Sequence, residues 1–160
     1  MSLLSSFQQS LIEAFQREGV QFVVVGGVAS VYYGVQRSTG DLDILVNAGQ
    51  ENGRRILTAF SKLELDASGI RPEDFEKQLF LSFGFEPDAI DLMTATPGVN
   101  FIEAFGRANK IDSGGFSVPI MHIDDLIKNK ESLNRQGEKR HLDAFDLQAL
   151  KRIRTQQSGN

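Results

Sequence analysis

The sequence predicts an α/β (α+β) protein, a mixed β-sheet with helices packed on it. Short β-branched or alternating apolar runs read as strands, and stretches with apolar residues at helical spacing lie between them. The connections are of both hairpin and crossover type, which calls for parallel and antiparallel pairs in one sheet.

Each element has its own signal. Phe7, Leu11, Ile12 and Phe15 recur at helical spacing and Gly19 is a natural stop, so residues 5–18 are expected to form an amphipathic helix. Residues 21–25 form a β-branched run that enters a turn at Gly26-Gly27. A short helix over 28–33 closes at Gly34. Residues 41–46 alternate acidic and apolar side chains before turning fully apolar, the period-two pattern of a strand. Ile56, Leu57, Phe60 and Leu63 mark a helix over about 50–62, and Pro72 opens another short one. Residues 79–83 and 89–93 read as two strands joined by a hairpin through Gly84-Phe85-Glu86-Pro87-Asp88. Residues 100–108 look helical, and Ser113-Gly114-Gly115 turns between two further strands. Helices over 124–134, with Asp124 as N-cap, and 138–153 close the chain.

With 160 residues and no repeat or low-complexity linker, one domain is expected over 1–154. Its core covers about 20–122 and its C-terminal helices about 124–154, with 155–160 as a disordered tail. The absence of cysteine excludes disulfides, thiolate metal sites and cysteine nucleophiles, and His122 and His141 are too few for most zinc centres. Any metal must be held by carboxylate oxygens, which suits Mg²⁺ or Mn²⁺. The net charge of −4 argues against broad nonspecific binding of nucleic acid. No signal peptide and no membrane-spanning run is evident, so a cytoplasmic protein without membrane contact is expected.

The chemistry gathers around Asp41-Leu42-Asp43, downstream of Gly26-Gly27. Two carboxylates at i and i+2 of a strand project to one face, where both can serve divalent metal for an in-line phosphoryl displacement. A Gly-Gly turn at the start of a helix lets backbone N–H groups come close to phosphates. Asp91, in the apolar run Ala89-Ile90-Asp91-Leu92-Met93, completes the metal shell or accepts a proton from an attacking hydroxyl. Taken singly, each of these is an ordinary turn or surface acid. Together, three acids in apolar strand contexts, where charge is costly without a partner, form a constellation. Arg37 and Lys130 are the best candidates for triphosphate contacts. Lys128, Lys139 and Arg140 read as a solvated helix face, and Tyr32-Tyr33 either stacks on a base or packs its helix onto the sheet.

The stretch Val25-Gly26-Gly27, then thirteen residues, then Asp41-Leu42-Asp43-Ile44 resembles the signature of the nucleotidyltransferase superfamily typified by DNA polymerase β. Ile90-Asp91-Leu92 looks like its third carboxylate strand. Gly26-Gly27-Val28-Ala29 with Arg37-x-Thr39-x-Asp41-Leu42-Asp43 is similar to the small bacterial branch of toxin-type and antibiotic-modifying enzymes. Softer likenesses are Asp125-Leu126-Ile127-x-x-Lys130 and Asp143-x-x-Asp146-Leu147. The resemblance implies a Mg²⁺-nucleoside triphosphate such as ATP, metals on Asp41, Asp43 and Asp91, and the nucleotide held by Gly26, Gly27, Arg37, Thr39 and Lys130. Many members carry Gly-Ser at the phosphate turn; here the second residue is Gly27, and Ser30 is the candidate substitute hydroxyl. The segment Arg135 to Asp143 also departs from the short Gly-Arg-Pro-Lys-Asp link of close relatives.

The expected function is transfer of a nucleoside monophosphate from a triphosphate to a hydroxyl, with release of pyrophosphate. The acceptor is left open among a small molecule, a tRNA end and a protein side chain of a toxin–antitoxin pair. The chain leaves little room for an acceptor domain, so a homodimer or partner protein is the expected way to complete the cleft. The alternative is an inactive nucleotide-binding or toxin–antitoxin-type interaction module on the same scaffold. A glycosyltransferase or aspartyl-phosphatase metal site is a minor third reading.

Overall fold

The β-branched and apolar runs become strands because each has one or both faces covered. In the computed structural model, which describes residues 3–158, these are β1 (Phe22–Val25), β2 (Asp41–Val46), β3 (Phe80–Phe83), β4 (Ala89–Met93), β5 (Asn109–Ser113) and β6 (Phe116–Ile120). They form one sheet in the order β3-β4-β2-β1-β6-β5. β1 runs antiparallel to β2 and parallel to β6, and β2 runs parallel to β4. The hairpins β3–β4 and β5–β6 form the two edges. The expected mixed sheet is therefore what the chain builds, and β1 and β2 at its centre are its most buried strands.

The helices are α1 (Ser6–Glu18), α2 (Gly26–Tyr33), α3 (Gln50–Lys62), α4 (Phe101–Arg107), α5 (Ile123–Ser132) and α6 (Glu138–Ser158). Ser5 caps α1 in a reciprocal box: its hydroxyl accepts from the Gln8 backbone, and the Gln8 side chain accepts from the Ser5 backbone. Gly19 closes the helix in the left-handed conformation. α1 and α3 pack together over the sheet, while α2, α5 and α6 form a second group. Phe15 meets Phe22 edge-on at 5.5 Å and lies 6.1 Å from Phe60, joining α1, β1 and α3 in one core.

Three local readings change. The Pro72 element is a single 3₁₀ turn, Pro72–Glu76, whose Phe75 is fully buried. The cap of α5 is His122, whose ring nitrogen accepts from the Asp124 backbone, so Asp124 lies inside the first turn. α6 continues through Ser158, past the expected end at 153, so the expected tail is helical up to there. Gly159 and Asn160 lie outside the described residues. Among the described residues no helix is long and apolar enough to cross a membrane.

Gln8 ties this frame to one end of the sheet. It is only 2% exposed, and its amide donates to the Ala89 carbonyl at 2.9 Å and to the Gly40 carbonyl at 3.2 Å, clamping the starts of β2 and β4. Gln8→Ala removes half of the capping box and strips two carbonyls of a donor. It should lower stability by about 1–3 kcal/mol, read by urea unfolding. A loss below about 0.5 kcal/mol would show that water replaces the amide.

Candidate active site

β2 brings the acids together by register. Val25 faces Asp43 across the antiparallel pair, so Asp43 lies beside the turn where β1 passes into α2. On its other side Asp43 faces Asp91 across the parallel pair with β4, and Asp41 faces Ala89. Leu42 and Ile44, of opposite facing, are fully buried. The three sequence-derived acids thus share one face of two adjacent strands.

The turn beside them is shaped by glycine. Gly26 has φ +67°, and a Cβ there would lie 2.1 Å from Asp43 Oδ2, so both the backbone conformation and the close approach exclude a side chain. Gly27 lines the cleft, and a Cβ on it would lie 2.7 Å from Thr39 Oγ1 and 2.8 Å from Arg37 Nη2. The space a serine would take is therefore filled by the Thr39 hydroxyl. Ser30 is not the substitute: it is fully buried, and its hydroxyl donates to the Gly26 carbonyl at 3.1 Å. Helix α2 starts at Gly26, and Gly27 of its first turn, where N–H groups have no partner within the helix, lines the cleft.

Cationic side chains line the same cleft: Lys130, Arg135 and Lys139, with Arg37 from the loop before β2 lying beside Gly27. Arg37, Lys130 and Arg135 are held by two carboxylates of α6. Arg37 binds Asp146 with a two-pronged pair, Nε to Oδ1 at 2.7 Å and Nη2 to Oδ2 at 2.9 Å. Lys130 donates to Asp146 at 3.0 Å and to Asp143 at 3.3 Å, and Arg135 forms a second two-pronged pair with Asp143. Asp146 is fully buried; burial alone would push its carboxyl up, but Arg37 and Lys130 together hold it below the usual range. Three cations share two anions, leaving one net positive charge on this cluster before Lys139 is added.

The acids carry the opposite imbalance. Burial first, then repulsion from Asp91 and Asp41, raises the pKa of Asp43 from 3.8 to about 7, with Lys130 and Arg135 opposing the shift. Glu86, from the β3–β4 connection, adds a fourth carboxylate to the cleft, and its side chain closes over Gly40, where a Cβ would lie 2.7 Å from Glu86 Cγ. Among the described residues no three acidic or histidine side chains stand arranged to hold a metal ion. Asp43 leans over Gly26 and Asp91 accepts from Ser82. The donor chemistry nevertheless suits a hard divalent cation, because all the donors facing this part of the cleft are carboxylate oxygens with unbalanced charge.

The remaining candidates separate clearly. Lys128, Arg140 and His141 are exposed, as a solvated face requires, whereas Lys139 departs from that reading and joins the cleft. Tyr33 is structural: its hydroxyl donates to the Met121 carbonyl at 2.6 Å and accepts from Asn109 at 2.8 Å, and burial pushes its pKa to about 12. Asp125 is structural too, in a two-pronged pair with Arg107 of α4. Sequence reasoning missed Glu86 and the anchoring done by Asp143 and Asp146. The Asp143-x-x-Asp146 spacing, one helical turn, was the available signal.

No family model and no curated protein matches the chain. Among solved structures, a proposed nucleotidyltransferase from Thermotoga maritima matches with a TM-score of 0.53 at 12% identity, over 95% of this chain and 91% of that one. At that identity the likeness speaks to the fold alone, and the fold is nucleotidyltransferase-like.

Two outcomes test the electrostatics. Between pH 4 and pH 7 folded Asp43 keeps a proton that the unfolded chain has released, so its burial costs stability progressively as pH rises and in full above about 7. Asp43→Asn should therefore match the parent at pH 4 and exceed it by up to about 4 kcal/mol at pH 8, read by urea unfolding at both pH values. A pH-independent difference would contradict the raised pKa. Asp146→Ala leaves Lys130 and Arg37 short of their buried partner and should destabilise by about 3–5 kcal/mol, visible as a lowered thermal midpoint.

Proposed function

We propose that the chain is a metal-dependent nucleotidyltransferase, moving a nucleoside monophosphate from a triphosphate to a hydroxyl with release of pyrophosphate. The observation that carries this reading is the alignment of Asp43 with Asp91 across β2 and β4, with Asp41 on the same face, beside the Gly26-Gly27 helix start. Acids for a metal and N–H groups for phosphates line one cleft, and a nucleoside triphosphate needs both.

Asp41 and Asp43 would hold Mg²⁺ or Mn²⁺, with Asp91 completing the set. A bound divalent ion supplies neutralisation of the charge that develops on the phosphoryl oxygens. The chain's own groups do the rest. The first turn of α2 and the Thr39 hydroxyl meet the phosphates, with Arg37 beside them. Lys130 and Arg135 meet them too, and all three cations are held in fixed directions by Asp143 and Asp146. Asp91 takes the proton from the acceptor hydroxyl. The acceptor side lies toward Glu86 and Lys139, where a homodimer mate or partner protein has room to contribute.

A second reading, a module that binds triphosphate without turnover, is favoured by one observation: Arg37 and Lys130 are already engaged by Asp146. The two are told apart by measuring pyrophosphate release. In calorimetry with each of the four ribonucleoside triphosphates and Mg²⁺, the parent should bind and the double variant Asp41→Asn/Asp43→Asn should not. Equal binding by both would sink the placement of the nucleotide at these acids. Binding without pyrophosphate release, across several acceptors, would favour the inactive module.

A further inference from the structure

Ser82 lies one strand beyond the acids and is not used by the reading above. It is exposed on the edge strand β3, and its hydroxyl donates to Asp91 Oδ1 at 2.6 Å. The ladders place Ser82 opposite Asp91 and Asp91 opposite Asp43, so the three side chains form a row on one face of the sheet. A hydroxyl hydrogen-bonded to a carboxylate within this distance has the geometry of a nucleophile beside its general base. Phe80, two residues along the strand and on the same face, is 60% exposed, an unusual position for a large ring with no partner on its open side.

We infer that Ser82 is itself a nucleotide acceptor, so that the protein nucleotidylates its own β3 edge; this rests on the nucleotidyltransferase reading. Ser82 Oγ attacks the α-phosphorus of the bound triphosphate. The Oγ–P bond forms as the bond from that phosphorus to the oxygen bridging to the β-phosphate breaks, and pyrophosphate leaves with the bonding pair. The hydroxyl proton passes to Asp91. The product is a phosphodiester whose negative charge faces Asp91, so the nucleotide turns outward along the edge. Phe80 is there to stack with its base. A modified Ser82 occupies the approach to Asp91 and makes the reaction self-limiting toward other acceptors.

The test incubates the full chain with each ribonucleoside triphosphate and Mg²⁺, followed by intact-mass measurement and peptide mapping. The expected result is a single nucleoside monophosphate adduct on Ser82. It should be absent from Ser82→Ala and from Asp41→Asn/Asp43→Asn, and kept by Ser82→Thr, which retains a hydroxyl. Phe80→Ala should slow its formation about fivefold or more. Thermal melts of each variant check that the fold is kept. An adduct that persists in Ser82→Ala overturns the inference. So does a parent chain that binds triphosphate in calorimetry yet stays unmodified, and in that case the nucleotidyltransferase reading survives. If the parent binds no triphosphate, both fall together.

Discussion

The arrangement of the cleft depends on the register of β2. Side chains alternate along a strand, so a slip of one residue would send Asp41 and Asp43 into the core and expose Leu42 and Ile44. The cost of burying two carboxylates and exposing two aliphatic side chains fixes the register from both directions. Because β2 is bounded by β1 on one side and β4 on the other, the same register decides what Asp43 meets. It places Asp43 against the Gly26 backbone and opposite Asp91 at once. Gln8 reinforces this from outside the sheet by holding the first carbonyls of the β2 and β4 segment to α1.

The second organising feature is a charge system spread over three elements. Arg37 precedes β2, Lys130 lies on α5, and Asp143 and Asp146 lie on α6, so the ion pairs tie the C-terminal helices to the segment that enters β2. Bringing Lys130 to 5% exposure would be costly alone, but its two carboxylate partners satisfy it. Lys130, together with Arg135, also reaches Asp43 and opposes the rise in its pKa. Structural support and site electrostatics are therefore carried by the same side chains.

How much of this was legible in the sequence follows from the range of each interaction. Strands and helices were readable because they are local patterns, and the three acids because strand spacing puts them on one face. The Gly26-Gly27 turn was readable for the same reason. The His122 cap was missed because an Asp at a helix start is the commoner signal, while a ring nitrogen serves the same bond. The extension of α6 past 153 was missed because Thr155 to Ser158 carry few apolar residues, and a helix already anchored by packing continues through such residues. Ser30 was offered as the substitute for a hydroxyl at Gly27, and Thr39 was named beside it among the nucleotide-binding candidates. Yet helical geometry turns the Ser30 hydroxyl back to the Gly26 carbonyl, and the folded loop brings Thr39 in. Asp146 could not be assigned because its partner Arg37 lies more than a hundred residues away, and Asp143 because its partners Lys130 and Arg135 reach it only once α5 and α6 pack together.

The two sides of the cleft differ in how firmly they are built, and that difference bears on function. The side around Gly26-Gly27 is over-determined: a glycine of fixed conformation, a threonine hydroxyl in van der Waals space denied to any Gly27 side chain, and guanidinium and ammonium groups clamped by buried carboxylates. The side toward Glu86 is open, with Glu86 and Lys139 outside any ion pair among the described residues and the exposed β3 edge beyond Asp91. Rigid groups suit a ligand common to every turnover, because preorganised donors need no rearrangement as charge develops. An open edge suits a partner that comes and goes, since main-chain groups and one row of side chains can be covered by another chain and released again. Under the proposed reading, a triphosphate would be held in one fixed way and the choice of hydroxyl left to whatever reaches Asp91 from the β3 edge.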